Sequence, residues 1–360
     1  MKLFTCGACS QVVFFENVVC TSCGHVLAYL PEPAIMSAID PCPGEARLFV
    51  ALAPAAGARR YRLCRNSTEH GACNWAVPEE EKGPLCRSCQ FNDVIPNLGD
   101  PSAVGAWVRI ERAKRRLLYT LLELGLPLET KAENARGLAF SFKADGLTQV
   151  FTGHSDGNVT INVAEADDPF REKMRLQMGE AYRSLLGHFR HEIGHYYWFR
   201  LVSGTELEGP CRTLFGDERV DYDESLARHY GDGAPADWQT HHVSEYASTH
   251  PFEDWAETWA HYLHMVDTLE TARSYGLALR PVTVGGTQLT PTATRRLAFD
   301  DFDDLVTAWR PLTLALNSFN RSMGLADLYP FVLSREALEK VRFVHEVIEQ
   351  RARSPGRTLY

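Results

Sequence analysis

Residues 191–195 read His-Glu-Ile-Gly-His. On an α-helix the two histidines lie one turn apart and face the same way, so both imidazoles reach one metal ion. Glu192 stands beside them and can serve as general base toward a water that the metal activates. The chemistry this pattern serves is zinc-assisted hydrolysis, with a peptide bond as the expected target. The pentapeptide supplies two ligands, and a catalytic zinc takes three from the protein and keeps one position open. Downstream, Glu253-Asp254-Trp255-Ala256-Glu257 opens a second helical stretch. Glu253 and Glu257 share a face there. One carboxylate can complete the ligands while the other accepts a hydrogen bond from a ligand histidine and fixes its tautomer.

Competing ligands exist on residue type alone. His188 lies one turn before His191, and His241, His242, His250 and His261 flank the glutamates. The metzincin arrangement is excluded, because its glycine and third histidine positions hold Trp198 and Leu201. At about 100° per residue, Tyr182, Leu186, Phe189, Ile193 and Tyr196 form one apolar stripe. His191 and His195 then fall opposite it, beside Gly187 and Gly194, which suits the floor of a cleft.

A second chemistry lies near the start of the chain. Nine of the ten cysteines fall in the first 89 residues. Cys6, Cys9, Cys20 and Cys23 form two Cys-x2-Cys turns, the set a tetrahedral structural zinc prefers. Cys64, Cys73, Cys86 and Cys89 supply a second, less regular set of four. Pairing within each set is the simple reading; an interleaved cross-brace satisfies the same spacings. Cys42 and Cys211 are left over as ordinary small residues. No export signal precedes the cysteines, so reduced thiols and a cytoplasmic protein are expected.

Composition narrows the classes. The chain has 360 residues, 45% hydrophobic and 23% charged, with a net charge of −9. Such an acidic balance argues against nucleic acid as a partner, since that needs a basic face. No apolar run approaches the ~18 residues of a membrane span. The elements that must position the site follow from periodicity. Helices are expected over 107–126, 169–176, 181–202, 251–269, 302–323 and 334–353, and short strands over 138–142, 149–152 and 158–163. The last strand, just before the metal helix, is expected at a sheet edge where an extended peptide could add to it. The fold class is α+β. A zinc-ribbon domain with two four-cysteine sites spans 1–98, a mainly helical domain with a small sheet spans 102–353, and a disordered tail spans 354–360.

Longer stretches carry a resemblance. They are HGACNWAVP and LCRSCQFNDVIPNL, then VTINVAEADDPFRE, GEAYRSLLGHFRHEIGHYYWFRLV, FGDERVDY and YASTHPFEDWAETWAHYLHMVDTLETA. Across most of residues 1–270 the chain resembles the zinc-binding metallopeptidase family that carries an N-terminal zinc ribbon. That family looks like the gluzincin branch of the zincins. Tyrosine followed by Glu-x-x-Ala-Glu is similar to the lethal-factor type. The resemblance implies Glu253 as the third zinc ligand, Tyr246 as an aid to the transition state, and Glu257 behind a ligand histidine. Asp254 departs from that type, which has an aromatic residue there. The implied cofactor is zinc, three ions in all, two structural and one catalytic. The implied partner is a peptide or protein substrate, with the ribbon as a surface for docking protein. The rival reading is a zinc-stabilised interaction module, or a highly selective processing protease with little general activity. An intact Glu192 weighs against a mere scaffold, which needs the ligands but no base.

Overall fold

Cysteine turns and short strands open the chain. In the computed structural model, residues 1–57, 59–177, 180–286, 292–293 and 301–353 are described. The tail over 354–360 lies outside the described residues. Among the described residues the chain forms two compact units, one over Met1–Phe170 and the other over Arg171–Arg353.

In the first unit, β1 (Phe4–Thr5) and β2 (Val12–Val13) form an antiparallel hairpin whose connection carries Cys6 and Cys9. Then β3 (Val26–Leu30), β4 (Ile35–Pro41), β5 (Phe49–Ala51), β6 (Arg60–Leu63) and β7 (Ala76–Pro78) form an antiparallel sheet in chain order. The sheet curls back on itself: Tyr29 N–H donates to the Asn74 carbonyl at 2.8 Å, beside a bridge from Tyr29 to Trp75. Ala28, Leu30, Ile39, Tyr61 and Ala76 fill its interior. Two single helical turns, α1 (Arg65–Thr68) and α2 (Arg87–Gln90), follow directly on Cys64 and Cys86.

The rest of the unit is a helix on a small sheet. Asp100 caps α3 (Pro101–Glu123) by accepting the Ser102 N–H, and Pro101 fits the first helical position. The sheet runs in the order β10 (Gly153–Ser155), β11 (Asn158–Asn162), β9 (Ala139–Lys143), β8 (Asn92–Val94). Both β8 and β11 run parallel to β9, and β10 is antiparallel to β11. The expectation of an open edge over 158–163 is therefore corrected. Strand β11 is interior, with hydrogen-bonded neighbours on both sides, and β10 is the edge. Buried polar groups tie β8 to α3. Glu111 accepts from Trp107 Nε1 at 3.1 Å, Asn92 Nδ2 at 2.6 Å and Lys114 Nζ at 3.0 Å. A buried carboxylate persists only when so satisfied.

The second unit is helical. It comprises the end of α4 (Asp168–Gln177), α5 (Leu185–Tyr197) with a π-helical turn Trp198–Val202, α6 (Glu208–Phe215), α7 (Tyr222–Asp232), α8 (Trp238–His241) and α9 (Pro251–Ser274). A two-stranded β12 (Ala278–Leu279) and β13 (Thr292–Ala293) precedes α10 (Phe302–Ser322) and α11 (Arg335–Arg353). Helices α5, α6, α10 and α11 all pack on α9. Trp255, Ala256, Trp259, Tyr262, Leu263, Met265 and Leu269 are buried around it. No described helix is long and apolar enough to cross a membrane.

Helix α5 starts later than its periodicity predicts. Ser184 accepts the Gly187 N–H at 3.0 Å and caps it, leaving Tyr182 outside and exposed. Phe189, Ile193 and Tyr196 are buried as expected. Gly194 has a different purpose from the one expected. It does not floor a cleft but lets α9 approach: a Cβ there would lie 3.0 Å from Ala256 Cα and 3.1 Å from Trp259 Cβ. Trp255 Nε1 donates to the Gly194 carbonyl at 2.9 Å, and Tyr197 stacks on Trp259 at 4.9 Å. Gly194→Val should therefore destabilise the protein by about 1–3 kcal/mol through overpacking. Urea denaturation of the variant checks this, and a loss below about 0.5 kcal/mol would mean the two helices separate freely.

Candidate metal centre

Helix α5 presents His191 and His195 with their Nε2 atoms 3.2 Å apart. The first turn of α9 brings Glu253 to them. Pro251 occupies the first helical position, and His250 Nδ1 accepts the Phe252 N–H at 3.0 Å as the cap. Glu253 thus sits at the positive end of a long helix, which favours its ionised form. Its Oε2 lies 2.9 Å from His191 Nε2, and its Oε1 lies 3.5 Å from His195 Nε2. A tetrahedral site with nitrogen and oxygen arms of about 2.1 Å has edges of about 3.4 Å. With one atom from each residue, the three donors lie within 4.8 Å of one another and can converge on one such ion.

Glu257 takes the other side of His191. Its Oε1 accepts from His191 Nδ1 at 2.7 Å, and its Oε2 accepts from Ser244 Oγ at 2.6 Å. A proton held on Nδ1 leaves the Nε2 lone pair for a metal. Phe252 packs on the His195 ring at 4.3 Å.

The electrostatics call for a cation. Burial opposes charge on His191, but hydrogen bonds to Glu253 and Glu257 outweigh it and raise the imidazole well above its ordinary range. Burial likewise raises Glu253, yet the charge of His195 and the His191 bond outweigh it and hold the carboxyl well below the usual range. Glu257 is lowered to about 2, against burial, by its bond to His191. The neighbouring core histidines behave oppositely: burial lowers His188 and His264 to about 3 and His261 to about 4. They stay neutral, whereas a proton on His191 stands where a dication's charge would sit. Glu192 is buried, which raises its carboxyl, while the His191 and His195 charges pull it down. A base raised toward neutrality suits proton transfer.

The rival histidines go elsewhere. His261 Nδ1 meets the Tyr329 hydroxyl at 2.5 Å, His241 pairs with Glu336 at 2.6 Å, and His242 pairs with Asp254 at 3.1 Å. His250 is a cap. His188 faces the charges of Arg183 and His191 without joining the cluster. Asp254, the departure from the lethal-factor pattern, is fully buried and bridged by Lys340 of α11 at 2.5 Å. Tyr246 lies in a single helical turn, Tyr246–Ser248, with its ring 5.9 Å from that of His191.

Two participants escape sequence reasoning. Ser244 carries no motif. Tyr222 donates its hydroxyl to Glu253 Oε1 at 2.8 Å. A signal for it exists, since FGDERVDY ends on it and Asp221 is a good helix cap.

The cysteines group within their sets. Cys6, Cys9, Cys20 and Cys23 converge, and so do Cys64, Cys73, Cys86 and Cys89, each within 4.8 Å. Sulfur–sulfur distances are 3.6 Å for Cys6–Cys23, 3.7 Å for Cys9–Cys20 and 3.5 Å for Cys73–Cys86. Zinc–sulfur arms of about 2.3 Å give edges of about 3.8 Å, so both sets fit zinc. Cys9 is exposed in the first set, whereas all four of the second are buried. Cys211 is a buried packing residue whose thiol burial pushes up to about 12.

Comparison with known proteins agrees with this chemistry. Residues 3–100 match a zinc-ribbon domain, and residues 103–347 match the family described as "putative zinc-binding metallo-peptidase". Three proteins named "Uncharacterized protein", from Mycobacterium bovis and two strains of Mycobacterium tuberculosis, are each 41% identical over 353 residues. The alignment covers 97% of this chain and 96% of theirs. No solved structure matches the chain. The family match covers more than half of the residues, and the chain belongs to the "putative zinc-binding metallo-peptidase" family, with a zinc-ribbon domain ahead of the peptidase region.

Proposed function

We propose that this protein is a zinc-dependent peptide-bond hydrolase whose catalytic zinc is held by His191, His195 and Glu253. The observation that carries this reading is the convergence of those three donors beside a buried Glu192. Zinc bound there would supply Lewis acidity, lowering the pKa of a water and polarising the scissile carbonyl. Glu192 takes the water's proton on its carboxylate and later delivers it to the leaving amine nitrogen. Tyr246 donates its hydroxyl to the developing oxyanion. Glu257, steadied by Ser244, keeps the His191 proton on Nδ1. The two cysteine sets hold structural zinc, giving three ions per chain. The functional division we propose follows chemistry: residues 1–98 serve the structural zincs and 102–353 the hydrolytic site. Eight cysteines kept as zinc-binding thiolates fit a reducing compartment, which supports a cytoplasmic location. The substrate is a peptide or protein, with the ribbon available to dock it.

Elemental analysis and single substitutions test the metal assignment. Wild type should carry three zincs, and Glu253→Ala should carry two. Glu257→Ala should keep three at saturation but bind one about 10- to 100-fold more weakly. Loss of the ion from Glu257→Ala alone would exchange the two roles.

Glu192→Gln tests the chemistry. It keeps shape and removes the base, so hydrolysis of a mixed peptide pool should fall by about 10²- to 10⁴-fold with zinc content and melting temperature unchanged. Retained activity would sink the hydrolytic mechanism.

Burial sets the order of metal loss. Under a chelator, native mass spectrometry should show the His/Glu site emptying first, because it keeps an open position. The Cys6 set, with Cys9 exposed, should follow, and the fully buried Cys64 set should empty last.

A further inference from the structure

Helix α7 supplies none of the metal donors, yet its first residue reaches them. Tyr222 Oη donates to Glu253 Oε1 at 2.8 Å. A phenol has one proton and an ionised carboxylate only accepts, so the Tyr222 proton is committed to Glu253.

Tyr222 is held where it is by the same turn that carries Glu253. Its ring packs edge-on against His250 at 5.2 Å. His250 Nδ1 accepts from the Phe252 N–H, so its proton is on Nε2, which donates to the Val220 carbonyl at 3.2 Å. That imidazole stitches the start of α7 to the start of α9. The Tyr222 hydroxyl and the Glu253 carboxylate are therefore set by one local scaffold. With Oε1 engaged, Oε2 is the oxygen turned to His191 Nε2 at 2.9 Å.

We propose that Tyr222 is a positioning residue of the metal centre, holding Glu253 by Oε1 so that the carboxylate offers one oxygen to the metal. This rests on the reading of Glu253 as a ligand. A carboxylate released from Tyr222 is free to chelate with both oxygens, which fills the position a substrate or water needs.

The test uses the full-length protein with zinc retained in the cysteine sites and the His/Glu site loaded with zinc or cobalt. Competition with a chelator should show Tyr222→Phe binding zinc about 10- to 100-fold more weakly at that site. The visible cobalt bands should weaken and shift as coordination number rises, a signature that a mere packing role would not move. Tyr222→Phe with wild-type affinity and an unchanged cobalt spectrum would overturn the proposal. Glu253→Ala separates the failures. If it loses the zinc while Tyr222→Phe behaves as wild type, only the positioning role falls. If it keeps the zinc at full affinity, Glu253 is no ligand and both readings fall.

Discussion

The candidate metal centre depends on the close approach of α5 and α9. Each helix carries part of the donor set, and neither can assemble it alone. Gly194 removes the side chain that would hold the helices apart, and Ala256 and Trp259 occupy the space. The Trp255 indole then pins the helices by its bond to the Gly194 carbonyl. Because an interior packed to crystal density resists displacement, the donors on the two helices inherit a fixed separation. The surrounding helices α6, α10 and α11 serve mainly to keep α9 in place, and Lys340 secures its first turn by bridging Asp254.

Electrostatics completes what packing begins. Buried Glu253 and half-buried Glu257 both face His191, while burial keeps His188, His261 and His264 neutral nearby. A buried anionic pair needs a positive charge or it will not remain ionised. Protonated His191 meets that need in the bare protein, and a divalent ion meets it better, since it satisfies the facing Nε2 atoms and Glu253 together. Glu257 and Ser244 lie behind the ligands and hold the ring orientation that makes this exchange available.

The first unit uses a different strategy. Its strands are short, and its two cysteine clusters are sets that a metal ion could cross-link in place of a larger core. The unit also holds an aromatic group of Phe15, Tyr29, Trp75 and Tyr119, with neighbouring rings at 4.9 to 5.2 Å. The satisfied Glu111 network joins α3 to β8, so residues on both sides of the proline-rich stretch 95–101 fold together.

Local chemistry is legible from residue order. The i,i+4 spacing of His191 and His195, that of Glu253 and Glu257, and the Cys-x2-Cys turns depend only on backbone geometry within one turn. So do the helices expected over 251–269 and 302–323, whereas α3 starts at Pro101, ahead of the expected 107, because Asp100 and Pro101 cap a stretch with weak apolar spacing. Non-local facts are not legible. Strand β11 reads as an edge because a sequence shows a strand's length and alternation but not its neighbours. Gly194 reads as cleft floor because a glycine looks the same whether solvent or a helix lies against it. Tyr222 stays hidden because its partner is 31 residues away, across a turn whose path depends on the His250–Val220 bond. The choice among the nearby histidines also needs three dimensions. His188, His241, His242, His250 and His261 match His191 in type, and what separates them is which carboxylate, carbonyl or hydroxyl the packed helices place against each ring.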